Sequence, residues 1–305
     1  MRPLSFKSVA MHSAIFKGFL LALTAGCSWG SMAVAAQYLM THYGFSAENL
    51  TALRVFGAGV ALAMIDWLLS PKNHLKTVFK CENIRDIAVY GLGVLGIQWA
   101  FFLSIEHANA ATAGILVLTG PLFVISFLAL VDHRKVQPVE LGAIALSAVG
   151  VICLITKGDF SHLNFSGTGV FWGLISAICG AFCTIQPRNL IKRVSVTTVV
   201  GWGMLIGGAV GCLVINPFDM AVDWTIECIA LYGYIVLFGT IIAFWCYLKS
   251  LEFVPPSITS ILNCFEPLSA VVLSVIILGT TFHTIEVVGA VLIFSTVFLL
   301  TKAKL

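Results

Sequence analysis

The sequence predicts an all-α membrane protein whose ten transmembrane helices form two inverted five-helix repeats. Three observations predict this fold class: an extreme composition, ten apolar stretches of membrane-spanning length, and a weak similarity between the two halves of the chain. Of the 305 residues, 59% are hydrophobic and only 10% are charged, and the mean hydropathy is +1.00. Because a soluble domain carries roughly 25% charged residues, this composition excludes a soluble enzyme and a disordered chain.

Apolar stretches bounded by polar or charged clusters define the predicted spans. In chain order they cover residues 15–36, 47–69, 87–105, 111–130, 139–155, 169–190, 197–215, 229–250, 257–278 and 284–301. Each is long enough to cross a bilayer, and each is too continuous for the alternating strands of a membrane barrel. The first stretch follows three basic residues, as in a secretory signal, but it continues to about Ala36 and further spans follow it. We therefore interpret it as a membrane helix.

The positions of lysine and arginine predict the orientation. With the N-terminus in the cytoplasm, fifteen of the 17 basic residues lie at inner loops or termini, whereas Lys157 lies in an outer loop and Arg54 lies within a span. Basic residues concentrate in cytoplasmic loops. Both termini are therefore predicted to be cytoplasmic, with an N-terminal segment over residues 1–14 and a tail over residues 302–305.

The two halves of the chain resemble each other. A shift of 146 residues aligns Trp99 with Trp245 and Pro121 with Pro267. We expect one repeat over residues 15–157 and the other over residues 166–301. Because each repeat has an odd number of spans, the two copies must cross the membrane in opposite directions. Inverted repeats are typical of transporters, in which the substrate site lies near the midplane where the halves meet.

Short motifs point to a known family. They are Trp29-Gly30, Leu53-Arg54, Gly120-Pro121 and Phe265-Glu266-Pro267. Over nearly its whole length the chain resembles the drug/metabolite transporter superfamily, in particular bacterial carriers with two EamA domains. The resemblance implies alternating-access transport of small metabolites, often amino-acid export. The chain departs from the family at Gly120, where a Glu is frequent, so a symmetric pair of acidic residues is absent.

Glu266 is the carboxylate that falls deepest within a predicted span. A charge at mid-membrane costs at least about 2.5–3.5 kcal/mol on insertion scales, so it usually faces a cavity or a partner. Asn263 lies one turn before it on the same helical stripe. The carboxylate can serve as a site for a proton or a substrate amine, or it can be a buried acid at a helix interruption caused by Pro267.

Three residues are candidates for hinge or gating roles. Pro121 and Pro267 occupy equivalent positions in the two repeats, and paired interruptions of this kind indicate a binding region. A simple packing kink is the alternative. Arg54 lies a few residues inside its span, where it can snorkel or pair with Glu48, or can gate the outer mouth of a pathway.

Large or polar side chains within the spans are candidates for lining a substrate pathway. They are Trp29, Gln98, Trp99, Gln186 and Trp245, together with Asn263 and Glu266. Membrane-anchoring tryptophans are common, so anchoring is the alternative for the three indoles.

No residue is predicted to be catalytic, to bind a cofactor or to ligate a metal. The sequence at residues 91–96 matches the dinucleotide pattern GxGxxG, but it lies within a span, where small residues serve helix packing. Gly203, Gly207 and Gly211 form a longer small-residue face in the seventh span, which also indicates packing. Proton coupling through Glu266 is a hypothesis. The expected partners are a small-molecule substrate and the lipid bilayer but not nucleic acid, and the expected oligomeric state is a monomer or weak dimer.

The predicted function is efflux of an amino acid or related compound across the bacterial inner membrane. A facilitative uniporter, or an exchanger of nucleotide-sugar-like or drug-like substrates, is the alternative, followed by a channel.

Overall fold

The computed structural model describes residues 6–69, 74–131, 135–156, 167–217, 222–250, 253 and 265–303. Every regular element in these ranges is a helix, which confirms the predicted all-α class. The α-helices are α1 (Phe6–Tyr43), α2 (Ala47–Leu69), α3 (His74–Val78), α4 (Cys81–His107), α5 (Ala110–Val117), α6 (Gly120–Val131), α7 (Pro138–Thr156), α8 (Gly167–Ile185), α9 (Val196–Ile215), α10 (Ile226–Val236), α11 (Ala243–Ser250), α12 (Phe265–Leu278) and α13 (Thr284–Ala303). A 3₁₀ turn follows α8, and a π-helical segment (Leu237–Ile242) joins α10 to α11.

Seven helical stretches of the described chain are long and apolar enough to cross a membrane. They are Ile15–Tyr43, Ala47–Leu69, Cys81–His107, Ala110–Phe127, Gly167–Arg188, Val196–Ile215 and Ile226–Tyr247. Three shorter apolar helices cover Pro138–Cys153, Phe265–Leu278 and Thr284–Thr296. The order of these elements matches the order of the predicted spans, although residues 257–264 of the ninth predicted span lie outside the described residues.

Some helix ends differ from the predicted bounds. The fourth span, predicted over 111–130, is confirmed as one apolar stretch over Ala110–Phe127, but within it one helix ends at Val117 and a new one begins at Gly120. Pro121 is the second residue of this new helix, where its missing N–H costs nothing. The first helix continues beyond residue 36 to Tyr43 and ends at Gly44, whose positive φ of 76° breaks the helical conformation.

Glycines allow the closest helix contacts. A Cβ added to Gly203 or Gly207 on α9 would meet Tyr90 or the Gly91 carbonyl group on α4, and one on Gly208 would overlap the backbone of Phe56 on α2. The glycine-rich stretch of α4 and the glycine face of α9 therefore serve packing, as the sequence predicted. These contacts hold α2, α4 and α9 together as one group of helices.

Two helices that are far apart in the sequence begin with the same cap. At the start of α7 the backbone N–H of Gln137 donates to Glu140 Oε2 at 2.9 Å, and at the start of α13 that of His283 donates to Glu286 Oε2 at 2.8 Å. In both cases an acid at the third helical position reaches back to the capping residue, which is half of a capping box. The two helices also pack against each other.

The largest buried apolar cluster lies where α1, the start of α2, the end of α4, α5 and α10 meet. It includes Leu39, Leu50, Phe102 and Ile235, none of which is more than 1% exposed. Phe102 of this cluster lies against the guanidinium group of Arg54.

Candidate functional site

A buried arginine is the centre of the candidate site. Arg54 on α2 is 1% exposed. Its Nε donates to Thr240 Oγ1 at 2.7 Å, one Nη donates to Gln98 Oε1 at 2.7 Å, and the other donates to the Gly239 carbonyl oxygen at 3.2 Å. The guanidinium carbon also lies 5.3 Å from the centroid of the Phe102 ring. Arg54 therefore joins α2, α4 and the segment between α10 and α11.

Two of the three acceptors, Thr240 Oγ1 and the Gly239 carbonyl oxygen, belong to the π-helical segment. A π turn widens the helix and displaces carbonyl groups from the regular ladder, and such turns are frequent at functional sites. Thr240 Oγ1 itself donates to the Ile235 carbonyl oxygen at 3.2 Å, which fixes its lone pairs toward Arg54. At Gly239 an added Cβ would overlap the Met32 side chain on α1. Glycine is therefore required if α1 is to approach the segment that binds Arg54.

Neutral groups solvate the guanidinium group of Arg54. Its three hydrogen-bond acceptors are an amide, a hydroxyl and a backbone carbonyl oxygen, and the ring of Phe102 adds a cation–π contact. Glu266 also acts on it electrostatically. The snorkelling or Glu48 pairing considered for Arg54 is not what the structure shows, because the side chain is buried and directed at α4 and the π-helical segment.

Glu266 is the second residue of α12 and is half-buried. An added Cβ at Gly30 on α1 would overlap Ser269 Oγ and the Glu266 carbonyl oxygen, so α1 touches the first turn of α12 directly. Pro267 is the third residue of α12 and lies against Gly114 on α5, where an added Cβ would be 3.2 Å from the Pro267 Cα. Pro267 thus belongs to a first turn, where proline is tolerated. Asn263 lies outside the described residues.

Two of the predicted tryptophans lie in the interior. Trp29 on α1 packs edge-on against Phe244 with ring centroids 5.2 Å apart, and its ring centroid lies 5.5 Å from that of Tyr247. Trp99 on α4 is half-buried, and its buried Nε1 has no hydrogen-bond partner among the described residues. Both belong to the shell around the largest apolar cluster.

The structure does not bring Gln186 and Trp245 to the Arg54 cluster. Trp245 is 56% exposed. Gln186 Nε2 donates to the Asp86 carbonyl oxygen at 3.0 Å, and Asp86 precedes Gln98 by 12 residues on α4, or about 18 Å. Arg193 pairs with the Asp86 carboxylate at the same place. The six predicted pathway residues that the structure describes therefore lie in different regions of the molecule.

Sequence reasoning missed Asp66, which lies within the second predicted span. Asp66 on α2 is only 4% exposed. Its Oδ1 accepts a hydrogen bond from Thr198 Oγ1 at 2.9 Å, and its Oδ2 accepts one from Trp202 Nε1 at 3.2 Å, so it fastens α2 to α9. Thr240 and Gly239 were also missed. Nothing in an apolar run marks the residues at which a helix widens into a π turn.

Comparison with known proteins gives two consecutive matches to one family. The model of the EamA-like transporter family matches residues 16–156 and again residues 167–302. The inner membrane transporter YicL of Salmonella typhimurium is 34% identical over 291 residues, which cover 93% of this chain and 95% of YicL. The threonine/homoserine exporter RhtA of Escherichia coli K12 is 26% identical over 267 residues, covering 85% of this chain and 83% of RhtA.

Two further comparisons extend over nearly the whole chain. Protein PecM of Dickeya dadantii is 26% identical over 301 residues, covering 93% of this chain and 92% of PecM. One solved crystal structure with 18% sequence identity superposes with a TM-score of 0.64 and covers 94% of this chain and 97% of that one. At this identity the superposition shows a shared fold alone.

Proposed function

The chain belongs to the EamA-like transporter family of the drug/metabolite transporter superfamily, and from this premise we propose that it exports an amino acid or related compound by alternating access. The membrane is the bacterial inner membrane, as in the YicL relative. The transported compound is proposed to be a small metabolite, as the resemblance to the superfamily implies.

The architecture that supports this function is a pair of inverted five-helix repeats over residues 15–157 and 166–301, with both termini in the cytoplasm. Two consecutive family matches support the repeat. The equal caps at Glu140 and Glu286, 146 residues apart, support the predicted alignment. The inversion follows from the odd number of spans in each repeat, and the placement of the basic residues gives the orientation.

The observation that carries the proposal is the Arg54 cluster. Alternating access needs contacts between the repeats that can form and break, close to the midplane. Arg54 and Gln98 belong to the first repeat, and Gly239 and Thr240 belong to the second. In this proposal Arg54 closes the outer part of the pathway by holding α2 against the π-helical segment, and its release opens that part. Pro121 and Pro267 mark the equivalent first turns about which the helices tilt.

The substrate class is tested by a thermal-shift screen of purified protein against a metabolite library, followed by liposome uptake of the compounds that stabilise it. Threonine and homoserine are the first candidates, because the RhtA relatives carry these names. We expect at least one amino compound to raise the midpoint and to be taken up saturably. If stabilising compounds are found and none is taken up, the protein is not their carrier.

Proton coupling is proposed to pass through Glu266, which lies in the first turn of α12, where the backbone of α12 touches α1 at Gly30. Uptake of the identified substrate is measured with and without a pH gradient in wild type and Glu266→Gln. We expect the gradient to accelerate wild-type uptake and to have no effect on the variant. Glu82→Gln is the matched control, because its side chain is 82% exposed. A gradient effect that is the same in wild type and Glu266→Gln refutes the role of Glu266.

A further inference from the structure

The hydrogen bonds of Arg54 leave two of its N–H groups without an acceptor. A guanidinium group has five N–H groups, one on Nε and two on each Nη. Nε donates to Thr240, one Nη donates to Gln98, and the other Nη donates to the Gly239 carbonyl oxygen. One N–H group on each Nη therefore has no acceptor among the described residues, although the side chain is buried. Because buried donors without acceptors are costly, the two N–H groups indicate a ligand that supplies acceptors.

The positive charge of Arg54 also has no ion-pair partner among the described residues. Glu266 acts on the guanidinium group electrostatically. The ion pairs of the described chain lie elsewhere, where Arg85 and Arg193 meet acidic residues near the start of α4. A buried charge is stable when it is paired and hydrogen-bonded. An anion that reaches Arg54 would therefore supply both the charge and the acceptors.

The packing of α2 against α9 allows a comparison with the other half of the chain. Thr198 Oγ1 on α9 donates to Asp66 Oδ1 on α2 at 2.9 Å. The predicted shift of 146 residues turns this pair into Ala52 and Cys212, and the Cys212 thiol does donate to the Ala52 carbonyl oxygen, at 3.7 Å. Each position around α2 thus has a counterpart around α9.

The counterpart of the Arg54 cluster is apolar. The residues that align with Arg54, Thr240 and Gln98 all have hydrocarbon side chains, and they are Val200, Val94 and Phe244. Val94 and Val200 are 3% and 5% exposed and belong to one apolar cluster, against which Phe244 packs. The fold closes this junction without a charge, so packing alone does not require the guanidinium group at the equivalent junction.

A charge that packing does not require indicates a functional role. An ionisable side chain inside a membrane is costly, and such residues usually mark the path of a substrate or an ion. The two N–H groups without acceptors lie on neighbouring Nη atoms and can donate to the two oxygens of one carboxylate group. Charge-assisted bonds of this kind are about twice as strong as bonds between neutral groups. Arg54 is therefore suited to distinguish a carboxylate from an amide or an alcohol.

We propose that Arg54 binds the carboxylate group of the transported compound, whose oxygens accept from the remaining N–H group on each Nη. Since Arg54 is buried in this conformation, the carboxylate reaches it when the surrounding helices separate, as they do in alternating access. This inference rests on the proposed function and adds to it the chemical group that the carrier recognises.

Matched acids and amides test the inference. The midpoint of thermal unfolding of the purified protein is measured against increasing concentrations of L-threonine, L-leucine and L-phenylalanine, and of the primary amide of each. An amide keeps the ammonium group, the side chain and the size of its acid. We expect at least one acid to raise the midpoint saturably. Its amide should need a concentration at least about tenfold higher for the same shift, because the charge-assisted bonds are lost.

Two variants then assign the effect to Arg54. Arg54→Lys should raise the acid concentration for a half-maximal shift at least about tenfold, because an ammonium group cannot present the planar fork. Gln98→Glu keeps the size of the side chain and places a carboxylate beside one Nη, so it should weaken acid binding to a similar extent. Arg85→Lys is the matched control, since the Arg85 side chain is 74% exposed, and it should leave acid binding unchanged.

Several outcomes overturn the proposal. They are absence of stabilisation by all three acids, an equal shift by an acid and its amide, and unchanged acid binding in either variant of the Arg54 cluster. If the variants do not fold, the wild-type comparison of acids with amides still decides. Saturable uptake of an amide as fast as that of its acid refutes the carboxylate site and leaves transport intact. Acid binding that depends on Arg54, without uptake of any acid, refutes transport and leaves the site intact.

Discussion

Replacement of Arg54 by leucine should destabilise the protein by an amount that follows from its three hydrogen bonds. Each joins α2 to another helix. Hydrogen bonds between membrane helices contribute about 0.6 kcal/mol on average and up to about 1.7 kcal/mol, so three of them amount to roughly 2–5 kcal/mol. Leucine also leaves the Gln98 and Gly239 oxygens without this donor, so we expect a loss of stability despite the removal of a buried charge.

The assay is equilibrium unfolding of the purified protein in mixed micelles with increasing dodecyl sulfate. Arg54→Lys separates charge from geometry, because an ammonium group cannot reproduce the planar fork that reaches three acceptors. Arg85→Leu is the control, since the Arg85 side chain is 74% exposed and should change the free energy of unfolding by less than about 0.5 kcal/mol. A free energy of unfolding for Arg54→Leu equal to that of Arg85→Leu would refute the reasoning.

Three further predictions follow from the packing, the caps and the surface charges. Gly207→Ala should cost about 1–3 kcal/mol of unfolding free energy, because the added Cβ overlaps Gly91. Gly180→Ala should not destabilise the protein, because its Cβ meets nothing within 4 Å. A loss at Gly180 as large as at Gly207 would contradict this. Glu140→Ala and Glu286→Ala should each cost about 1 kcal/mol, and clearly unequal losses would argue against equivalent caps. Arg193→Ala should lower the unfolding free energy by less than about 1 kcal/mol, because its ion pairs with Glu82 and Asp86 are partly exposed. This loss should vanish in 1 M salt, and a loss that does not depend on salt would show a buried contact.

The long apolar runs of the sequence predicted which segments are helical, because a membrane helix needs a continuous apolar stretch. It did not predict the break at residues 118–119, since a proline in a first turn and one within a helix look the same in sequence. Glycine spacing indicated close packing on α4 and α9, and the contacts of Gly91, Gly203 and Gly207 confirm it.

Side-chain direction explains where the predicted site differs from the structure. The position of Arg54 seven residues into α2 suggested an interface, but a long side chain can reach several ångströms along the helix, and here it is directed into the protein. Gln98 was selected as a polar residue in a span and proved to be a partner of Arg54. Trp245 was selected by the same rule and is mostly exposed. Sequence alone cannot distinguish these two, because the face each occupies depends on how the helices assemble.

A carrier exposes one site alternately to each side of the membrane, and counterflow tests this property of the protein most directly. Liposomes loaded with unlabelled substrate are diluted into labelled substrate, and internal label is followed over time. A carrier should accumulate label transiently above its equilibrium level, with a rate that saturates as external substrate increases, and Arg54→Leu should reduce the accumulation. Monotonic entry that never exceeds equilibrium and rises linearly with concentration would contradict alternating access and indicate a channel.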